Sequence, residues 1–129
     1  MTTRDTLRLP FEPATASIAR TKLASFLTLN RASTRTLDDA LIVLSEMVAN
    51  AISHGVPAED GMLELAWGIE DGHLVLSVHD GGTGASLEPI EFDEDSLSGR
   101  GLSIINRVAE RWWVDGTAGT RVNAQLALA

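Results

Sequence analysis

Four short stretches of this 129-residue chain carry residue types that can do chemistry. Glu46 and Asn50 stand four residues apart in Ser45-Glu46-Met47-Val48-Ala49-Asn50. On a helix that spacing puts a carboxylate and a carboxamide on one face, as a proton acceptor beside a metal-directed oxygen. Taken alone, the same pair reads first as a solvated helix face. Asn, however, is a poor mid-helix residue, costing roughly half a kcal/mol against Ala. In Val78-His79-Asp80-Gly81-Gly82-Thr83-Gly84 a carboxylate stands where a strand gives way to a glycine turn. Gly82 and Gly84 let backbone come close to a flat or charged ligand, although Asp-Gly pairs are also ordinary turn formers. Gly99-Arg100-Gly101-Leu102 opens a helix from a loop. The free N–H groups there make an anion site, and Arg100 adds charge-assisted hydrogen bonds; a hinge before a core helix is the alternative. Gly119-Thr120, just before the last alternating segment, is by itself only a turn.

The elements that must position these residues follow from hydrophobic period. Thr6-Leu7-Arg8-Leu9 alternates as a short strand closed by Pro10. Ile18, Ala19, Leu23, Phe26 and Leu27 form the stripe of a helix from about 14 to 30. Ser33 suits the N-cap of a second helix reaching His54, with Asp38 and Asp39 early in it and Gly55 and Pro57 as its stop. Leu37, Leu41, Leu44, Val48, Ala51 and Ile52 share one side of that helix, opposite Glu46, Asn50 and Ser53.

Leu63, Leu65, Trp67 and Ile69 alternate, as do Leu74, Leu76 and Val78, and Asp71-Gly72 between them signals a hairpin. After a loop from 81 to 98, Leu102, Ile105, Val108, Ala109 and Trp112 mark a third helix from Gly101 to Trp112. Trp113-Val114 and the run Val122, Ala124, Leu126, Leu128 close the chain as a hairpin. Strand, two helices, hairpin, helix and hairpin predict an α+β fold, a two-layer sandwich with the helices on one sheet face. No repeat or linker divides residues 1–129, so one domain is expected.

Composition removes several function classes. Ten Lys and Arg against eighteen Asp and Glu give a net charge of −8, which disfavours sequence-independent nucleic-acid binding and suits a partner with basic patches. With no cysteine, disulfides, thiolate metal sites and a Cys nucleophile are excluded. Lys22, the only lysine, has no glycine loop before it, so there is no Gly-Lys-Ser/Thr phosphate loop. His54, His73 and His79 lack metal-cluster spacing. The start MTTRDTLRLP has no apolar secretory core, and no apolar run could span a bilayer. A cytoplasmic protein is expected.

As an ordered set, the four stretches are specific. Glu46/Asn50, Asp80/Gly82/Gly84, Gly99/Gly101/Leu102 and Gly119/Thr120 resemble the N, G1, G2 and Gly-Thr boxes of the gyrase, Hsp90, histidine-kinase and MutL ATPase superfamily. The resemblance covers roughly residues 35 to 129. Within that superfamily the chain looks most like the small stand-alone anti-sigma-factor serine/threonine kinases. The run Gly99 to Ile105, continuing through Ala109-Glu110-Arg111-Trp112, and the ending Gly119-Thr120-Arg121-Val122 carry that closer likeness.

The resemblance implies a Bergerat-type ATP-binding fold with a mixed sheet and three helices on one face. It implies that Asp80 accepts a hydrogen bond from the adenine amino group, with Thr120 assisting at the base, while Gly82 and Gly84 let backbone pack near the nucleotide. Asn50 would hold Mg²⁺, the N–H groups of Gly101 and Leu102 with Arg100 would bind phosphate, and Glu46 would deprotonate a serine or threonine hydroxyl. The implied partners are a sigma factor and its anti-sigma antagonist, with a homodimer also in keeping and no direct nucleic-acid or membrane contact. Ala85 to Ser98 is short for an ATP lid, has no basic residue and carries Glu88, Glu91, Asp93, Glu94 and Asp95. That feature keeps open an alternative, a non-catalytic ATP-binding module that sequesters a protein partner.

Overall fold

The computed structural model describes residues 3–81, 99–116 and 119–128, without the side chains of 99–103. The elements run β1 (Thr3–Pro10), α1 (Thr15–Leu29), α2 (Thr34–His54), β2 (Met62–Glu70), β3 (His73–Asp80), α3 (Gly99–Val108), β4 (Arg111–Asp115) and β5 (Thr120–Ala127). The strands form one sheet in the order β1-β2-β3-β5-β4, and every neighbouring pair is antiparallel. The expected mixed sheet is therefore corrected. The connection through α3 does bring β4 back in the direction of β3, but β5 lies between the two and pairs antiparallel with both.

Local chemistry sets the element ends. Ser33 caps α2, its Oγ accepting from Thr36 N–H at 3.1 Å; such a cap stabilises a helix by about 1 kcal/mol. Thr36 Oγ1 in turn donates to the Leu128 carbonyl at 2.9 Å, tying the start of α2 to the end of β5. Asp71 and Gly72 turn between β2 and β3 at φ 52° and 77°, the left-handed pair that a two-residue hairpin requires.

The third helix is shorter than its apolar stripe predicts. Ala109 N–H makes the last helical bond, to Ile105 at 2.9 Å, and Glu110 N–H already donates to the Gln125 carbonyl at 2.8 Å. Trp112 thus belongs to β4, opposite Ala124. Its indole N–H reaches back to Asn106 Oδ1 at 3.2 Å, so it still packs beside α3.

One continuous core joins the helices to the sheet. Leu23, Phe26 and Leu27 from α1, Val43, Leu44 and Met47 from α2, and Ile105 from α3 meet Leu65, Trp67, Leu74, Leu76, Ala124 and Leu126. Trp67 and Phe26 lie 6.4 Å apart, tilted by 56°. Each fully buried large side chain contributes about 1.5–3 kcal/mol. The strands' other face carries the ladder row Arg8, Glu64, His79, Arg121 and Asp115, the alternation expected of a sheet with one uncovered face.

Candidate functional site

The site grows from the C-terminal half of α2. Ala40, Val43, Leu44, Met47 and Val48 are buried, which fixes the roll of the helix and leaves Glu46 and Asn50 half-buried on its flank. Four residues of helix separate them by about 6 Å along the axis. The Asn50 amide nitrogen is itself inaccessible to solvent.

Beyond His54 the chain leaves the helix and runs over the end of β3. Gly55 N–H donates to the Ala51 carbonyl at 2.7 Å, and Gly81 N–H donates to the Val56 carbonyl at 2.7 Å. Ala58 N–H then joins the Met62 carbonyl at 3.0 Å. The approach is close enough that a Cβ on Gly81 would come within 2.5 Å of the Pro57 oxygen and 2.6 Å of Ala58 Cα. A Cβ on Gly55 would overlap Asp80 Oδ2 and come within 2.9 Å of Asp80 Cγ.

Asp80 ends β3 on the helix-facing side and is only 7% exposed. Directly across the ladder is Thr120, 2% exposed, the first residue of β5. Its Oγ1 is buried and makes no hydrogen bond among the described residues. Leaving such a group unsatisfied costs about 1–3 kcal/mol. Gly119 supplies the turn into Thr120 at φ 89°, and a Cβ there would overlap the Asp80 carbonyl oxygen and come within 2.8 Å of His79 Nε2. On the uncovered face behind, His79 Nδ1 lies 3.5 Å from Glu64 Oε2 and 3.4 Å from an Arg121 guanidinium nitrogen.

The structure thus brings Asp80, Gly119, Thr120 and the end of α2 together, and sets Glu46 and Asn50 on one flank of that helix. Gly99 to Leu102 form the first turn of α3, whose backbone N–H groups have no intrahelical acceptor. The side chains of Arg100 and Leu102, and all of Gly82 and Gly84, lie outside the described residues. Among the described residues no group of three or more His, Cys, Asp or Glu could hold a metal. A Mg²⁺ ion held by Asn50 would draw its remaining ligands from water and phosphate, as this ion commonly does. No helix among the described residues is long and apolar enough to cross a membrane.

Gly55 is the site residue that sequence reasoning assigned only as a helix stop. A helix-ending glycine is normally there for its left-handed conformation. Here the residue is extended, at φ −92° and ψ −170°, so the requirement is space beside the Asp80 carboxylate and the Ala51 carbonyl oxygen. The signal was its position directly after the helix bearing Glu46 and Asn50.

Comparison with known proteins fits this geometry. Residues 9–126 match the family model of the histidine kinase-like ATPase domain. Over 117 residues the chain is 29% identical to the serine-protein kinase RsbW of Listeria innocua, covering 81% of this chain and 74% of that protein. Over 110 residues it is 30% identical to the anti-sigma F factor of Clostridium acetobutylicum, covering 80% and 77%. Two solved structures share the fold. The RsbU and RsbW domains of Rv1364c from Mycobacterium tuberculosis match with a TM-score of 0.74 at 22% identity, over 98% of this chain and 32% of that one. The SiaB–SiaC complex from Pseudomonas aeruginosa matches with a TM-score of 0.65 at 19% identity, over 95% and 88%.

Proposed function

The chain belongs to the histidine kinase-like ATPase domain family, and we propose that it is an ATP-binding anti-sigma factor and serine/threonine protein kinase. It phosphorylates an anti-sigma antagonist and, when free of that antagonist, sequesters a sigma factor. The similarity to the RsbW kinase and the anti-sigma F factor supports the reading at the level of the whole chain. The family match over 9–126 and the continuous core support a single domain. Action in the cytoplasm and pairing of two copies complete the proposal, the latter checked by sedimentation.

The observation that carries the nucleotide reading is the buried pair of Asp80 and Thr120. A carboxylate and an unsatisfied hydroxyl are held side by side away from water. That arrangement carries a cost of about 1–3 kcal/mol that a ligand or ordered water would remove by supplying the missing bond, and adenine has the donors and acceptors to do so. In the proposed mechanism Asp80 accepts from the exocyclic amino group, and the Thr120 hydroxyl bonds at the base. Gly82 and Gly84 let backbone lie close to the nucleotide. The N–H groups of Gly101 and Leu102, together with Arg100, neutralise phosphate charge at the start of α3.

Asn50 would hold Mg²⁺ through its side-chain oxygen, and the ion would supply positive charge against the phosphates. Glu46, one helical turn before Asn50, takes the proton from the substrate hydroxyl, a contribution of about 10²–10⁴-fold. Most of the remaining acceleration comes from positioning and charge stabilisation.

Calorimetric titration with ATP, with and without Mg²⁺, followed by mass spectrometry of a candidate antagonist incubated with both, tests the reading. Mg²⁺-dependent binding and acid-stable phosphoserine or phosphothreonine on the antagonist are expected. Absence of binding at millimolar ATP would overturn it. Binding without transfer would instead leave a nucleotide-responsive protein-binding module.

A further inference from the structure

We infer that Gly55 is a positioning residue of the nucleotide site, the residue whose missing side chain gives the Asp80 carboxylate its place at the base. The inference rests on the reading of Asp80 as the adenine contact, and it adds a determinant that the four sequence boxes do not contain.

The backbone at Gly55 does not itself require glycine. At φ −92° and ψ −170° it is extended, a region open to every residue. What requires glycine is the surroundings. An added Cβ would overlap Asp80 Oδ2, lie 2.9 Å from Asp80 Cγ and lie 2.5 Å from the Ala51 carbonyl oxygen. Carbon does not approach other heavy atoms so closely, so even a methyl group forces something to move.

Neither escape leaves the site intact. If the carboxylate swings aside, its oxygens leave the position held next to Thr120, directly across the ladder. If residues 55–58 move instead, the Val56 carbonyl withdraws from Gly81 N–H, now 2.7 Å away, and the end of β3 loses its anchor. Asp80 is held from three sides: Gly55 against its carboxylate, Gly119 against its carbonyl oxygen and Val56 bonded to the next residue. A buried acceptor discriminates bases only while its lone pairs are fixed in direction. Gly55 therefore acts on base selectivity through Asp80 and touches no reacting atom.

Inosine triphosphate isolates this role, because it replaces the exocyclic amino donor of ATP with a carbonyl acceptor and leaves the phosphates unchanged. The purified protein and its Gly55→Ala variant are titrated with each nucleotide in the presence of Mg²⁺. The unaltered protein should bind ATP roughly tenfold or more tightly than inosine triphosphate. In Gly55→Ala that ratio should fall to within about threefold of unity, by the same loss of one oriented hydrogen bond. An equal weakening of both nucleotides, with the ratio kept, would overturn the inference, because damage to the fold alone would do that. Unchanged binding in the variant would overturn it too. No preference in the unaltered protein would overturn the adenine role of Asp80 and this inference with it. Should Gly55→Ala fail to fold, the double variant Gly55→Ala/Asp80→Ala decides the matter by thermal melting. Recovery of a cooperative transition supports the overlap with Asp80 as the decisive one; no recovery assigns the glycine requirement to the Ala51 carbonyl oxygen and overturns the inference.

Discussion

Asp80 and Thr120 face one another where β3 ends and β5 begins, and the threonine hydroxyl, though buried, makes no hydrogen bond among the described residues. An unfilled polar group beside a carboxylate costs stability in the unliganded protein and becomes favourable once a ligand satisfies it. This opposition of stability and binding gives a test at each of the two residues.

Thr120→Val keeps shape and strand propensity while removing the hydroxyl. The unliganded protein should melt at the same temperature or higher, by up to about 1 kcal/mol of stability. ATP affinity should fall about two- to tenfold, one neutral hydrogen bond's worth. Melting curves with and without Mg²⁺ and ATP read both effects, and a drop in unliganded stability would contradict the assignment.

Asp80→Asn preserves size but points an amide where a carboxylate accepts. A charge-assisted bond is worth about 1.5–3 kcal/mol, so ATP should bind roughly tenfold to a hundredfold more weakly. Circular dichroism should be unchanged. Calorimetry checks the affinity.

Glu46→Gln tests the separation of chemistry from binding. The Mg²⁺-dependent affinity for ATP should remain within about twofold, because Glu46 is not assigned to the nucleotide. Phosphotransfer to the antagonist should fall by about 10²–10⁴-fold. A rapid-quench time course at saturating ATP measures the difference, and an unaltered rate would remove Glu46 from the role of base.

A different prediction concerns acid stability. The Arg8 guanidinium forks onto Asp60, at 2.9 and 2.8 Å, and holds that carboxyl below its usual range. Because the folded value is lowered, the pair stabilises the fold above the unfolded carboxylate value near 3.9 and loses that effect as pH falls through the folded one. Asp60→Asn should therefore lower the urea midpoint modestly at pH 7 and make less difference at pH 3. Both groups are at the surface, so the effect is small and shrinks in high salt.

Much of this fold was legible where a local rule acts within a few residues. Ser33 as a cap and Asp71-Gly72 as a hairpin turn depend only on their immediate neighbours. The end of α3 was not legible, since Trp112 continues the helical stripe and only the pull of Gln125 across the sheet ends the helix earlier. The sheet's wholly antiparallel pairing was hidden for a similar reason: it depends on β5 inserting beside β3, a long-range choice. At the site, residue type and order pointed to Asp80 and Thr120, and the structure pairs them across the β3–β5 ladder. Gly55 escaped because its neighbour in space is remote in sequence, and the glycine looked like an ordinary helix stop.

The placement of β5 between β3 and β4 has a consequence for how the protein is made. A ribosome delivers β3 and β4 before the strand that must join them. Until residues 120–127 leave the exit tunnel, the nascent chain carries Asp80 on an unpaired strand edge, with no Thr120 beside it. Such an edge is exposed to wrong pairing during synthesis. On the proposed reading, the growing polypeptide gains its nucleotide site late, and a product that stops before β5 would carry Glu46 and Asn50 on α2 without Thr120 opposite Asp80.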